Sequence, residues 1–122
     1  MSMKKLELYV HIPFCEEKCR YCDFLSFRAD EGEKKAYVTQ LIEEIKAQGQ
    51  NYGEYLVSSI FIGGGTPPTL SGIWILDIMN AIRENFIVET DAEVSIECNP
   101  GPLSKSKIMH IKKAGINRIS FG

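Results

Sequence analysis

The sequence predicts an α/β fold in which four parallel strands alternate with three helices, in the order βαβαβαβ. Short apolar runs typical of strands recur four times along the 122 residues. Between them lie segments in which apolar residues recur every three or four positions, which is typical of amphipathic helices. The connections are short, so each strand–helix–strand unit is expected to be a right-handed crossover within one parallel sheet.

The first strand and the first helix follow from patterns near the N-terminus. Residues 6–12 are apolar at alternate positions and Pro13 ends the run, which favours a strand that leads into a loop. Over residues 33–48, apolar residues recur every four positions among lysines and glutamates. This spacing predicts an amphipathic helix, and Gly49 and Gly53 predict its exit.

The second strand and the second helix lie on either side of a glycine run. Residues 57–62 form an apolar-rich stretch that stops at three consecutive glycines, which predicts a buried strand. Ser71 is a suitable N-cap for a helix over residues 73–86. The strand–helix alternation therefore continues through the middle of the chain.

The third unit has the same organisation. Residues 92–97 alternate in polarity and precede an Asn-Pro-Gly turn signal, which predicts a strand. Ser104 can cap a helix over residues 105–114, and Gly115 can adopt the left-handed conformation at its end. Residues 116–121 then form the predicted fourth strand.

The composition is that of an ordinary globular domain. Apolar residues make up 44% of the chain and charged residues 25%, with a net charge of -2. The absence of a basic cluster argues against nucleic-acid binding, so small molecules and proteins are the expected partners. The apolar run near the N-terminus is too short for an export signal or a membrane span. We therefore expect a cytoplasmic protein, associated with membranes only through partners, whose four cysteines are reduced and available for metal binding or catalysis.

The predicted fourth strand ends just before Gly122, the last residue, with no following helix to cover it. A parallel sheet needs both faces covered or a closed barrel. We therefore expect residues 1–122 to be the N-terminal part of a longer domain. The alternative is a small open sheet of four strands that pairs with a second copy of itself.

The strongest chemical signal is the CxxxCxxC motif formed by Cys15, Cys19 and Cys22. Thiolates are soft ligands that select zinc, copper(I) or iron–sulfur clusters. Three thiolates leave one iron of a 4Fe-4S cluster without a protein ligand, and such an open position invites an exogenous ligand. The alternative is a closed zinc site that takes His11 or Cys98 as its fourth ligand.

Two further signals fall at the ends of the second and third strands. The run Gly-Gly-Gly-Thr-Pro at 63–67 lets backbone N–H and C=O groups approach a small polar molecule, although a tight turn explains the same residues. Glu97 ends the third strand on the face opposite Val94 and Ile96; a solvated carboxylate is its alternative role. Because ligands of parallel sheets bind at the carboxyl ends of the strands, we expect the cysteine loop, the glycines and Glu97 to share one edge.

Five stretches of the chain carry a family resemblance: YVHIPFC (9–15), CDF (22–24), IFIGGGTP (60–67), ECNPG (97–101) and NRISFG (117–122). They resemble the radical S-adenosylmethionine (SAM) superfamily and, more narrowly, the oxygen-independent coproporphyrinogen III oxidase-like family. The resemblance implies that the sheet is the first half of a partial, TIM-like (β/α)6 radical SAM barrel.

The resemblance also implies a cofactor set. The three cysteines of the motif would ligate a 4Fe-4S cluster, and the amino and carboxylate groups of SAM would chelate its fourth iron. The cluster, reduced by an electron donor, would cleave SAM to a 5′-deoxyadenosyl radical, chemistry that belongs to the cofactor. For the tyrosines among the matching positions, ordinary packing is the alternative. The positions that match SAM contacts of the family are Tyr9, Tyr21, Gly64, Gly65, Thr66 and Glu97.

One departure separates two branches of this family. The oxidase resembles CxxxCxxCxC, whereas this chain has Phe24 at the place of the further cysteine. That departure favours the heme-chaperone branch, whose role is to bind heme and pass it to respiratory proteins. The alternative is oxidative decarboxylation of coproporphyrinogen III to protoporphyrinogen IX. Because family SAM contacts also lie past Gly122, we expect this segment alone to bind a cluster but to hold SAM weakly.

Three further residues have expected structural roles. Cys98 lies outside the cluster motif and is predicted to pack as a small buried residue. His11 is expected to support the cysteine loop through a hydrogen bond. Arg118 is expected either to pair with a neighbouring group or to face the strand ends.

Overall fold

A computed structural model describes residues 4–14, 30–98 and 103–121. Its four strands form one parallel sheet in the order β1-β2-β3-β4, with helices between successive strands. This arrangement confirms the predicted α/β fold. The elements are β1 (Lys5–Ile12), α1 (Glu31–Tyr52), β2 (Leu56–Gly64), a 3₁₀ turn (Pro67–Thr69), α2 (Gly72–Asn85), β3 (Ile87–Cys98), α3 (Lys105–Lys113) and β4 (Arg118–Phe121).

The two faces of the sheet differ in character because successive side chains of a strand point to opposite sides. Tyr9, Phe61 and Ser95 are paired in register across β1, β2 and β3. Tyr9 is 58% exposed and Phe61 is 38% exposed, and we call their side of the sheet the open face. All three helices pack on the other side, in a single core with strand residues that include Val10, Ile12, Ile60, Ile62, Val94 and Ile96.

Side-chain caps set the start of each helix. The Oγ atoms of Ser71 and Ser104 accept hydrogen bonds from the backbone N–H three residues later, at 3.3 and 3.1 Å, which confirms both predicted N-caps. Helix α1 begins with a reciprocal capping box that the sequence analysis did not identify. Asp30 Oδ1 accepts from the Glu33 N–H at 2.7 Å, and the Glu33 carboxylate accepts from the Asp30 N–H at 3.4 Å. The helix therefore begins two residues before the predicted position.

Helix α1 also runs past Gly49, so the prediction that this glycine marks the helix exit is wrong. A Cβ atom on Gly49 would lie 2.6 Å from the carbonyl oxygen of Asn85, the last residue of α2. The missing side chain therefore allows α1 to approach the end of α2. Among the described residues, no helix is long and apolar enough to cross a membrane.

Strand β3 is longer than predicted, and its register with β2 is interrupted in its first half. Val88 pairs with Val57, and pairing then resumes with Glu93 opposite Ser59. Between them, four residues of β3 face a single residue of β2. This irregularity breaks the polar–apolar alternation, and the alternation alone therefore locates only the second half of the strand.

The side chain of Asn117 connects the last strand to β3. Its Oδ1 accepts a hydrogen bond from the Val94 N–H at 2.9 Å, and its Nδ2 donates to the Ala92 carbonyl at 3.0 Å. The side-chain amide thus makes the hydrogen bonds to β3 that the backbone of a paired strand would otherwise make. Strand β4 begins at Arg118, two residues after the predicted start.

The turn that precedes Asn117 gives a test of the fold. Gly115 has φ +79°, and a Cβ atom there would clash with the Arg83 guanidinium, which donates to the Ala114 carbonyl at 2.5 Å. Gly115→Ala should lower the free energy of unfolding by about 1–3 kcal/mol, measured by chemical denaturation of the full-length protein. Gly32→Ala is the control, since a Cβ there meets only Asp30 Oδ1 at 3.4 Å; helix propensity predicts a gain of about 0.5–1 kcal/mol. Equal effects of the two substitutions on the free energy of unfolding would contradict the positive φ and the close Arg83 contact at Gly115.

Candidate functional site

The structure places the predicted glycine and carboxylate residues side by side at the carboxyl end of the sheet. We call residues 63–66 the glycine segment. Ile12 pairs with Gly64 at the end of β1 and β2. The Gly64 N–H donates to Glu97 Oε1 at 3.2 Å, across from β2 to β3. The glycine segment and Glu97 therefore lie at the same edge of the sheet, as predicted.

Three backbone N–H groups of the glycine segment already have acceptors within the protein. Gly64 donates to Glu97, Gly65 donates to the Ile12 carbonyl at 2.8 Å, and Thr66 donates to the Phe14 carbonyl at 2.6 Å. An anion-binding loop would turn such N–H groups toward its ligand. These three N–H groups are therefore not free to bind a phosphate-like anion.

Two features of the backbone at Gly64 exclude a side chain there. Its φ of +119° lies in the region that favours glycine. A Cβ atom there would also lie 2.7 Å from the Ile12 carbonyl oxygen and 2.9 Å from the His11 ring. Gly63 and Gly64 are the last residues of β2, so the close approach to β1 and the positive φ of Gly64 are the reasons for glycine at this position.

Tyr9 stands beside this site on the open face. Its ring stacks on Phe61, with centroids 5.9 Å apart and planes 13° apart, and its hydroxyl lies 3.0 Å from His11 Nδ1. Partial burial raises the pKa of Tyr9, and the negative charge of Glu97 raises it further. The sequence analysis missed Phe61, although the register of β1 and β2 pairs it with Tyr9.

The chain that leads into the cysteine motif is anchored as far as Phe14. The Tyr37 hydroxyl of α1 donates to the His11 carbonyl, and its ring meets Phe14 edge-on at a centroid distance of 5.2 Å. Phe14 is 1% exposed. The loop that carries the cysteines therefore starts from a fixed point at the end of β1.

The predicted cluster ligands cannot be placed in the same way. Cys15, Cys19, Cys22 and Tyr21 lie outside the described residues. Within residues 4–14, 30–98 and 103–121, no three His, Cys, Asp or Glu side chains are grouped so as to hold a metal ion. The assignment of the three cysteines remains a prediction from their spacing.

Three residues with expected structural roles are within the described part of the chain. Cys98 is 1% exposed in the core on the helix side, which confirms that it packs as a buried residue, and burial raises the pKa of its thiol. Arg118 pairs with Glu93, with Nη1 2.6 Å from Oε1, and this contact lowers the pKa of the Glu93 carboxyl. The ring of His11 bonds to Tyr9, and any contact with the cysteine loop lies outside the described residues.

Comparison with known proteins identifies the family. The model of the Radical SAM superfamily matches residues 9–122. This chain belongs to the radical SAM superfamily. The sheet described above is thus part of a radical SAM fold, and its strand-end edge carries the glycine segment and Glu97.

The radical SAM relatives with similar sequences carry two different names. The chain is 39% identical to the heme chaperone HemW of Escherichia coli (strain K12), over all of this chain and 32% of the relative. It is 37% identical to the oxygen-independent coproporphyrinogen III oxidase of Salmonella typhimurium (strain LT2), over 98% of this chain and 26% of that protein. The chain therefore spans a third or less of the length of these relatives.

Comparison with a solved structure identifies the same superfamily. Coproporphyrinogen III oxidase (HemN) from Escherichia coli, a radical SAM enzyme, superimposes with a TM-score of 0.88 at 35% identity, over 98% of this chain and 28% of that chain. The parallel sheet and its helices match the first half of the HemN radical SAM barrel.

The electrostatic contact between Glu97 and Tyr9 can be measured in this radical SAM protein. Replacing Glu97 by Gln removes a negative charge that raises the pKa of Tyr9, so the pKa of Tyr9 should fall. Phenolate absorbance during an alkaline titration of the full-length protein measures it, and Tyr9→Phe identifies the signal. Glu93→Gln is the control, since Glu93 is not among the causes of the Tyr9 shift. An unchanged pKa of Tyr9 in Glu97→Gln would show that the carboxylate and the phenol are too far apart to interact.

Proposed function

We propose that the protein binds a 4Fe-4S cluster through Cys15, Cys19 and Cys22, binds SAM at the neighbouring strand ends, and serves heme metabolism as a heme chaperone. The observation that supports the cofactor assignment most directly is the contact between Gly64 and Glu97. It joins a carboxylate to a backbone segment whose N–H groups are already bonded. Such a site supplies hydrogen-bond acceptors, which the ammonium group of an amino acid requires.

The described residues fit the methionine end of SAM in charge and in shape. Glu97 supplies a carboxylate that can accept more than one hydrogen bond. Gly64 lets the segment lie directly against the Ile12 carbonyl and the His11 ring, which keeps its backbone beside Glu97. The exposed Tyr9–Phe61 pair provides an aromatic surface on the adjoining open face.

The anchoring of β1 supports the cluster assignment. Phe14 is fixed by Tyr37 and accepts a hydrogen bond from Thr66, so the residue before Cys15 lies against the glycine segment. When bound, the cluster and SAM together supply reductive cleavage of the cofactor, with electrons from an external donor. The residues of this chain bind and orient the two groups.

The heme-chaperone role rests on the sequence at the end of the cysteine motif. This chain has Phe24 where the oxidase-like pattern has a further cysteine. Relatives named heme chaperone and coproporphyrinogen III oxidase are 39% and 37% identical to this chain, so identity does not separate the roles. The chaperone would bind heme and transfer it to a respiratory protein. The second candidate, oxidative decarboxylation of coproporphyrinogen III, is favoured by the similarity to the HemN structure.

Replacing Cys19 by Ala should abolish the cluster, because two thiolates cannot hold it. Iron content and visible absorbance after anaerobic reconstitution measure the loss. Cys98→Ala is the matched control: Cys98 is buried in the core and should not affect iron content. A full iron complement in Cys19→Ala would refute the ligand assignment.

The choice between chaperone and oxidase needs the full-length protein with its cluster. We expect stable heme uptake, seen in the heme absorbance spectrum, and no conversion of coproporphyrinogen III when SAM and a reductant are added. Formation of protoporphyrinogen IX would reject the chaperone role in favour of the oxidase. Absence of both heme uptake and conversion would reject both roles.

A further inference from the structure

The 3₁₀ turn Pro67–Thr69 follows the glycine segment directly and fixes its far end. All three of its residues are buried. Inside the turn, the Thr69 N–H donates to the Thr66 carbonyl at 2.9 Å and the Leu70 N–H donates to the Pro67 carbonyl at 3.1 Å. Two of its three residues are prolines, which have no backbone N–H. The position of the turn therefore depends on groups from other elements.

Two lysines from different helices supply those groups. The ammonium of Lys107, in the first turn of α3, donates to the Pro68 carbonyl. The ammonium of Lys34, in the first turn of α1, donates to the Thr69 carbonyl at 3.3 Å. Helix α2 packs against both α1 and α3. Consecutive carbonyls of the turn are thus held from the helices on the two sides of α2.

Neither lysine is where general preferences would put it. A lysine usually keeps its ammonium in water, yet the side chain of Lys34 is only 13% exposed and has Glu31 as its other partner. Both lysines lie near helix N-termini, where the helix dipole disfavours positive charge. Hydrogen bonds from an ammonium are about twice as strong as neutral ones. The bonds to the turn offset these unfavourable placements.

The far end of the glycine segment is held by the bond from the Thr66 N–H to the Phe14 carbonyl and by the turn that follows it. Its near end is held by Glu97 and by the Ile12 carbonyl, but three glycines have no side chains to pack. A shift of the turn would therefore change the distance between the carbonyls of the segment and Glu97. We propose that Lys34 and Lys107 are positioning residues for SAM, which act through the turn and not by contact with the ligand. This inference rests on the proposed function of the glycine segment.

The test compares lysine variants of the full-length protein after anaerobic cluster reconstitution. Lys107→Met and Lys34→Met should each raise the Kd for SAM about tenfold, the loss expected for one charged hydrogen bond. Equilibrium dialysis measures the Kd, and the change that SAM causes in the EPR spectrum of the reduced cluster reports the bound geometry. Lys105→Met and Lys35→Met are matched controls, since both lysines are exposed on the same helices. Lys107→Arg, which keeps a cationic donor, should restore most of the affinity.

The outcomes distinguish this inference from the proposed function. Iron content and thermal midpoint are measured for every variant. If either Lys34→Met or Lys107→Met does not fold, the SAM affinity of the other variant still tests the inference. Unchanged SAM affinity in a folded, cluster-loaded Met variant, or an equal loss in the controls, would overturn the positioning role while the proposed function stands. If the wild-type protein itself fails to bind SAM, both fail.

Discussion

The pairing of Ile12 with Gly64 is the constraint on which the site depends. It aligns the ends of β1 and β2, and the hydrogen bond from Gly65 to the Ile12 carbonyl continues that alignment beyond the strands. Ile12 is fully buried in the core. A slip of one residue would turn Ile12 to the open face and Tyr9 into the core. The apolar face of β1 thus fixes the position of the backbone that precedes the cysteines.

The parts of the fold that depend on local chemistry were predictable. Ser71 and Ser104 cap helices through contacts three residues away, and Gly115 adopts positive φ at a helix end. The errors involve contacts between distant parts of the chain. Gly49 lies inside α1, where its missing side chain lets the helix approach Asn85, and no local pattern contains that contact. The early start of β3 is hidden by its register shift against β2.

The site shows the same division. The strand alternation correctly puts Glu97 on the face opposite Ile96, and strand order brings it next to the glycines. The sequence does not say which backbone groups of the glycine segment remain available to a ligand, because the partners of its N–H groups lie in β1, just after β1 at Phe14, and in β3. Phe61 and the two lysines were missed for a related reason. Their neighbours are set by register and by helix packing, which hydrophobic patterns do not encode.

The burial of Cys98 has a consequence for the reactivity of its thiol. The thiol lies in the core, one position along β3 from Glu97 and on the opposite face. Burial raises the pKa of this thiol, which disfavours the thiolate form that binds metals and acts as a nucleophile. It is therefore protected from oxidants and from disulfide exchange with the cysteine loop. Among the four cysteines of the chain, the core thus keeps Cys98 away from metal ions in solution.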